Sequence, residues 1–169
     1  MSGWWAAAFV VQWILLAVLA VVVVALARQI GVLHLRLAPL GALEVDDEGP
    51  PIGHAPLART AKAPDGTPIL VGGPGPMRLV AFTSPTCPVC EQVVPSIPVA
   101  AMAAHLVPQV VSDPNLEAAY DVPGVPFLVV LDAAGIVRSK GTVNSLEQIE
   151  GLIDTALRRI DDASEARAS

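Results

Sequence analysis

The sequence predicts an α/β domain, a mixed sheet flanked by helices, carried behind one N-terminal transmembrane helix. Three observations predict it. Trp4 to Ala27 is a nearly unbroken apolar run in which Gln12 is the one strongly polar side chain. Met77 to Thr83 and Phe127 to Leu131 are short, continuously apolar segments, as strands buried on both faces are. Segments with helical signals lie between and after them, so strands and helices alternate along the chain.

The bulk numbers narrow the function classes. A chain of 169 residues suits one compact domain plus an appendage. The net charge is −6, and no basic stripe interleaves with aromatics, so nucleic acid is not an expected partner. The hydrophobic fraction of 53% is weighted by the N-terminal run. The two cysteines, Cys87 and Cys90, are too few for the disulfide framework of a small secreted domain.

In chain order, the first element is the apolar run. A helix rises about 1.5 Å per residue, so about twenty residues cross a hydrocarbon core of roughly 30 Å. Trp4 and Trp5 suit the headgroup level. A cleaved signal peptide is the rival, with Ala25-Leu26-Ala27 as a cleavage site, but a basic leading region is missing and the apolar stretch is too long. Arg28 and Arg36 follow the run, and by the positive-inside rule they bias the domain towards the cytoplasm. Pro39 and Gly41 are expected to end the helix, and Glu44 to Pro51 to act as an acidic tether. The organisation is therefore an anchor with an interfacial helix at 1–36, a tether at 37–54, the domain at 55–161 and a disordered tail at 162–169.

Within the domain, Leu57 to Lys62 and Thr67 to Val71 flank Pro64-Asp65-Gly66 as a hairpin. A helical stretch from about Glu91 to His105 must be kinked or interrupted by Pro95 and Pro98. Val107 to Ser112 is a strand and Asn115 to Tyr120 a short helix. Phe127 to Leu131 and Ile136 to Lys140 form an antiparallel pair across the turn at Asp132 to Gly135. Ser145, with Gln148 three residues on, makes a capping box for the last helix. Leu146, Ile149, Ile153, Leu157 and Ile160 are its apolar stripe.

Chemistry concentrates at Cys87-Pro88-Val89-Cys90. A disulfide needs Cα atoms about 4.4–6.8 Å apart, and two intervening residues in a first helical turn meet that. Unpaired N–H groups at a helix start favour a thiolate. They lower a cysteine pKa from about 8.5 to roughly 3.5–7.5. Cys87 is the expected nucleophile, and Cys90, one turn in, the more buried resolving thiol. Pro88 suits the first turn, where its missing N–H costs little. Two other readings stay open. One is a purely structural disulfide, although so small a loop restrains the unfolded chain little. The other is a metal half-site, although His34, His54 and His105 show no ligand spacing. Val125-Pro126 is the second candidate site. A cis proline facing the cysteines would expose the Val125 backbone to an extended substrate strand. A proline that simply starts a strand is equally compatible with the local sequence.

From Met77 to Leu157 the chain resembles the thioredoxin superfamily. The likeness rests on CPVC at a helix start, Pro95 five residues past Cys90, and the run Tyr120 to Pro126. It implies a helix kinked at Pro95 and a cis bond at Val125–Pro126. Two positions depart from cytosolic thioredoxin: Ala81 stands where a buried acid is usual, and Thr86 where tryptophan is usual. A housekeeping reductase is not the expectation.

Arg28 to Leu43, Ser84 to Cys90 and Gly135 to Val143 further resemble the MauD family. That likeness implies an inner-membrane anchor, a periplasmic thioredoxin-like domain and a part in maturing methylamine dehydrogenase, whose small subunit is rich in disulfides. The client would be that subunit's thiols, with a membrane or periplasmic redox partner and no cofactor. The family places the domain outside, against the arginine bias, and long domains translocate largely regardless of flanking charge. This chain is shorter than the family between Cys90 and Pro126, where a strand-plus-helix portion is expected to be missing and the sheet imperfect. Three functions are carried forward. The first is an oxidoreductase working through Cys87 and Cys90. The second is a non-catalytic chaperone binding along Val125 and Pro126. The third is a thiol reductant for cytochrome c or copper-centre maturation.

Overall fold

The computed structural model describes residues 3–36 and 48–168. The first stretch is one helix, α1 (Gly3–Arg36). Its Gly3–Val23 portion is long and apolar enough to cross a membrane, and none of it is buried against protein. The expected stop at Pro39 and Gly41, and tether residues 37–47, lie outside the described residues.

The second stretch is the domain. A hairpin of β1 (Arg59–Lys62) and β2 (Pro68–Val71) comes first. Its turn closes by Gly66 N–H donating to Ala63 O (2.9 Å) and Thr67 N–H donating to Asp65 Oδ1 (2.9 Å). Then follow β3 (Arg78–Phe82), α2 (Pro88–Val93), α3 (Ser96–Ala103), β4 (Val107–Val111), α4 (Pro114–Ala119), β5 (Phe127–Leu131), β6 (Val137–Thr142) and α5 (Leu146–Ala168).

The main sheet has the order β4-β3-β5-β6. β3 pairs parallel with β4 and antiparallel with β5, and β5 pairs antiparallel with β6. β3 is continuously paired on both sides, Arg78 to Phe82 against Val107 to Val111 and against Leu131 to Phe127. The expected imperfect sheet is corrected at β3, whose pairing is unbroken, while a register shift lies in the β5–β6 pair at Val130 and Leu131. The segment from Cys90 to Pro126 holds two helical pieces, a full strand and α4, which suffices for a parallel crossover. Pro108 fits because β4 is an edge strand of this sheet, where a missing N–H leaves no ladder bond unmade.

Period-two alternation divides the strands between two cores. Leu79, Ala81, Leu128 and Val130 face Ile97 and Ala101 of α3 and Ile149, Leu152, Ile153 and Ala156 of α5. Val80, Phe82, Phe127, Val129 and Leu131 face Leu116, Tyr120, Ala61 and Val71. Helices cover one face, and α4 with the hairpin covers the other.

Some local expectations change. The CPVC helix begins earlier, at Pro88; it breaks at Val94–Pro95 into two helices, the interruption expected of Pro95. Pro98 does no further damage because it sits in the first turn of α3, where N–H groups have no intrahelical acceptor. Residues 48–54 are not a free tether. Gly49 N–H donates to Asp121 O (3.0 Å), Gly53 N–H to Val137 O (2.9 Å), and Val137 N–H to His54 O (2.9 Å). Proline and glycine let this segment follow the domain surface without steric conflict. The tail from 162 is helical to Ala168, because after Gly151 no Gly or Pro stops α5 and its Ala, Glu and Arg are strong helix formers.

At the start of α5 half of the capping box forms: Gln148 N–H donates to Ser145 Oγ (3.4 Å), while Gln148 Oε1 reaches past Ser145 to accept from Asn144 N–H (2.7 Å). Leu146, expected in the apolar stripe, is 40% exposed, and Leu152 and Ala156 take its share of the core.

Candidate redox site

The site lies where β3 ends and α2 begins. Thr83 ties the end of β3 to β4, with its N–H and its Oγ1 both donating to Val111 O (2.9 and 3.1 Å). Ser84-Pro85-Thr86 then turns the chain. Ser84 Oγ accepts from Thr86 N–H (3.3 Å) and lies 3.0 Å from Thr86 Oγ1, and Ser84 O accepts from Cys87 N–H (3.2 Å). The sequence reading missed this pair of hydroxyl residues. Its signal was the Ser-x-Thr pattern, which favours local side-chain-to-backbone bonds.

Cys87 is the N-cap residue of α2, with extended backbone (φ −97°, ψ 109°), and Pro88 follows in the first turn. Cys87 and Cys90 are joined in a disulfide, with Cα atoms 5.2 Å apart. Cys90 N–H points at Cys87 Sγ, 3.1 Å away. The sulfur thus occupies the acceptor place that Ser or Asp fills in an ordinary N-cap. A charge on that sulfur meets a preorganised donor.

The two sulfurs differ in access. Cys87 is half-buried, whereas Cys90 is 2% exposed. Val89, between them in the chain, is 41% exposed. Across from Cys87 stands the loop before β5. The Val125–Pro126 peptide bond is cis. Val125 is half-buried and Pro126 buried, and the Val125 carbonyl oxygen lies 3.6 Å from Cys87 Sγ. The fold therefore brings Cys87, Cys90, Val89, Val125 and Pro126 to one end of the sheet. On the β4 side a cavity of about 370 Å³ reaches Cys90, lined mainly by apolar groups with Thr83, Glu91 and Ser112. Position 81 holds a fully buried alanine, so no carboxylate lies beneath the pair at that point of β3. Among the described residues, no three His, Cys, Asp or Glu side chains converge as metal ligands. A dithiol that cycles with its own disulfide, one sulfur accessible and one enclosed, can perform thiol–disulfide exchange.

Comparison with known proteins decides the family. Methylamine utilization protein MauD of Methylorubrum extorquens is 33% identical over 173 residues, covering 86% of this chain and 83% of that protein. The MauD of Paracoccus denitrificans is 32% identical over 182 residues, covering 91% of this chain and 90% of that protein. The chain belongs to the MauD family. No family model matches it. Among solved structures, a disulfide-isomerase-like protein of Bacteroides thetaiotaomicron aligns with a TM-score of 0.54 at 14% identity, covering 72% of this chain and 99% of that one. A thiol:disulfide interchange protein from a Bacteroides species gives 0.50 at 15%, covering 69% and 95%. At such identities the likeness speaks for the fold, which is thioredoxin-like. In this MauD-family chain the cysteine pair and the Val125–Pro126 loop sit on the βαβ and ββα halves of that fold.

Proposed function

We propose that the chain is a membrane-anchored thiol–disulfide oxidoreductase that forms or corrects disulfides in a client protein on the periplasmic side of a bacterial inner membrane. By the family resemblance that client is the small subunit of methylamine dehydrogenase. The observation that carries the reading is the Cys87–Cys90 pair: a half-buried sulfur at a helix N-cap with a backbone donor at 3.1 Å, joined to a sulfur that is almost fully enclosed. The span Gly3–Val23, apolar and unburied, supports anchoring.

In the oxidising direction a client thiolate attacks Cys87 Sγ. The Cys87–Cys90 bond breaks, a mixed disulfide forms, and Cys90 leaves as a thiolate that takes up a proton. A second client thiolate then attacks the client sulfur of the mixed disulfide. Cys87 leaves, stabilised by Cys90 N–H, and the client keeps the new disulfide. Correction of a wrong disulfide runs from the dithiol. The Cys87 thiolate attacks one sulfur of the client disulfide and the other leaves as a thiolate; if the client does not rearrange, Cys90 attacks Cys87 Sγ, the Cys87–Cys90 disulfide re-forms and the client departs as a dithiol. Val125 and Pro126 supply the backbone edge against which an extended client segment lies.

The test is redox titration of the full chain in detergent across glutathione buffers, with free thiols trapped by alkylation. Cys87 and Cys90 should pass between disulfide and dithiol together, with one midpoint. Cys87→Ser should abolish exchange with a disulfide-bearing client. Full client maturation by both Cys87→Ser and Cys90→Ser chains would overturn the reading and leave the chaperone function in its place.

A further inference from the structure

We propose that Gly49, latched by Lys140, is a positioning residue that sets the client-facing loop of the redox site. The inference rests on the oxidoreductase reading and adds to it a part played by the segment just ahead of the domain.

The latch is a buried amine. Lys140, on β6, is 1% exposed, and its Nζ donates to Glu48 O (2.6 Å) and Gly49 O (3.5 Å). A lysine enclosed this way is costly unless its donors are used, so carbonyls of the strap are part of what makes the site tolerable. Gly49 in turn touches both ends of the loop that carries Val125. At the near end its N–H donates to Asp121 O (3.0 Å). Asp121 is a non-glycine residue in the left-handed region (φ +49°), a conformation that needs external support. At the far end Gly49 lies close against the ring of Phe127, which follows Pro126 directly. A Cβ at position 49 would stand 2.7 Å from Phe127 Cζ and 2.9 Å from Cε1, with Gly49 itself at φ +76°. Only glycine allows this approach. Between the two held ends lie Val122 to Pro126, and Val125 O faces Cys87 Sγ at 3.6 Å. Moving the strap moves the Val125 edge relative to the sulfur. The cysteine pair is untouched, because it is set by α2 and the Ser84 turn.

This separates two readouts. Exchange with a small disulfide needs only the cysteines. Exchange with an extended peptide also needs the Val125 edge in place. The experiment uses the full chain in detergent as wild type, Gly49→Val, Lys140→Met and, as control, the exposed His54→Ala. Each is assayed against oxidised glutathione and against an extended peptide holding one disulfide, alongside a thermal melt. A displacement on the ångström scale is enough for Gly49→Val and Lys140→Met to raise the peptide KM about tenfold, with glutathione exchange within about twofold of wild type. His54→Ala should change neither. If Gly49→Val fails to fold, Lys140→Met decides alone, since methionine keeps the lysine stem's volume and removes only the amine. An unchanged peptide KM in the folded variants overturns the proposal, as does a parallel fall of both exchanges with the melting temperature. A wild-type chain that exchanges with neither substrate overturns the oxidoreductase reading and this role with it.

Discussion

The sulfur of Cys87 and the carbonyl oxygen of Val125 face each other at 3.6 Å, thirty-eight residues apart in the chain. The contact joins the α2 start to the loop before β5, the two halves of the fold. It leaves Cys87 approachable from the open side and Cys90 enclosed behind it. In the reduced chain iodoacetamide at neutral pH should therefore modify Cys87 and spare Cys90 until the protein is denatured. Cys90 N–H, aimed at Cys87 Sγ from 3.1 Å, favours the nucleophilic form of that sulfur over the other. Peptide mapping after labelling reads both outcomes.

Tyr120 offers a pH test of the second core. It is the chain's one tyrosine, so alkaline difference absorbance reports it alone. Burial raises its pKa above 10.0, with Arg78 and Arg59 acting in the opposite direction, and its hydroxyl lies 3.5 Å from Leu57 O. With the folded value raised, the stability linked to this group is complete below the unfolded pKa of about 10 and is lost as pH climbs through the folded value. The phenol should ionise above pH 10, together with loss of structure. Denaturing the chain first should return it to the ordinary value.

Asp132 organises the β5–β6 turn. Its Oδ1 accepts from Ala134 N–H and Ile136 N–H, both at 2.9 Å, and Oδ2 meets Arg138 Nε (2.8 Å) and Nη2 (2.7 Å). The pair is largely shielded, with side chains 10% and 14% exposed. Asp132→Ala should cost about 2–4 kcal/mol in a urea titration, because it strands Arg138 and two amides at once. The Arg158–Asp154 pair on the outside of α5 is open to water at 63% and 66%, so Asp154→Ala should leave the urea midpoint nearly unchanged.

The anchor reading predicts the behaviour of α1. Membranes from expressing cells should keep the full chain through alkaline carbonate washing and release it only to detergent. Deleting residues 3–27 should yield a soluble domain, since the apolar run alone supplies the span.

Much of this fold was legible because burial on both faces leaves a plain signature. Met77 to Thr83 and Phe127 to Leu131 have little choice but to be central strands, and they are. The cysteine pair was legible as a disulfide through its spacing, and Cys87 and Cys90 are joined. Less legible was whatever depends on partners distant in sequence. Residues 48–54 read as linker because their proline, glycine and acid suit a tether, and only Asp121, Phe127, Val137 and Lys140 make them part of the domain. The helix after Asp161 was misread from its small polar residues, although each is compatible with helix. Lys140 gave no sign of burial, since a lone lysine in a strand pattern usually marks the solvent face.

The central claim is that Cys87 is the sulfur that bonds to a client and Cys90 the one that lets it go. Trapping tests it most directly, with the full chain expressed as Cys90→Ser or Cys87→Ser and membrane extracts run without reductant after acid quenching. A client-bearing adduct should form with Cys90→Ser, disappear on adding dithiothreitol and be absent with Cys87→Ser. Adducts of equal yield from both variants, or from neither, would contradict it.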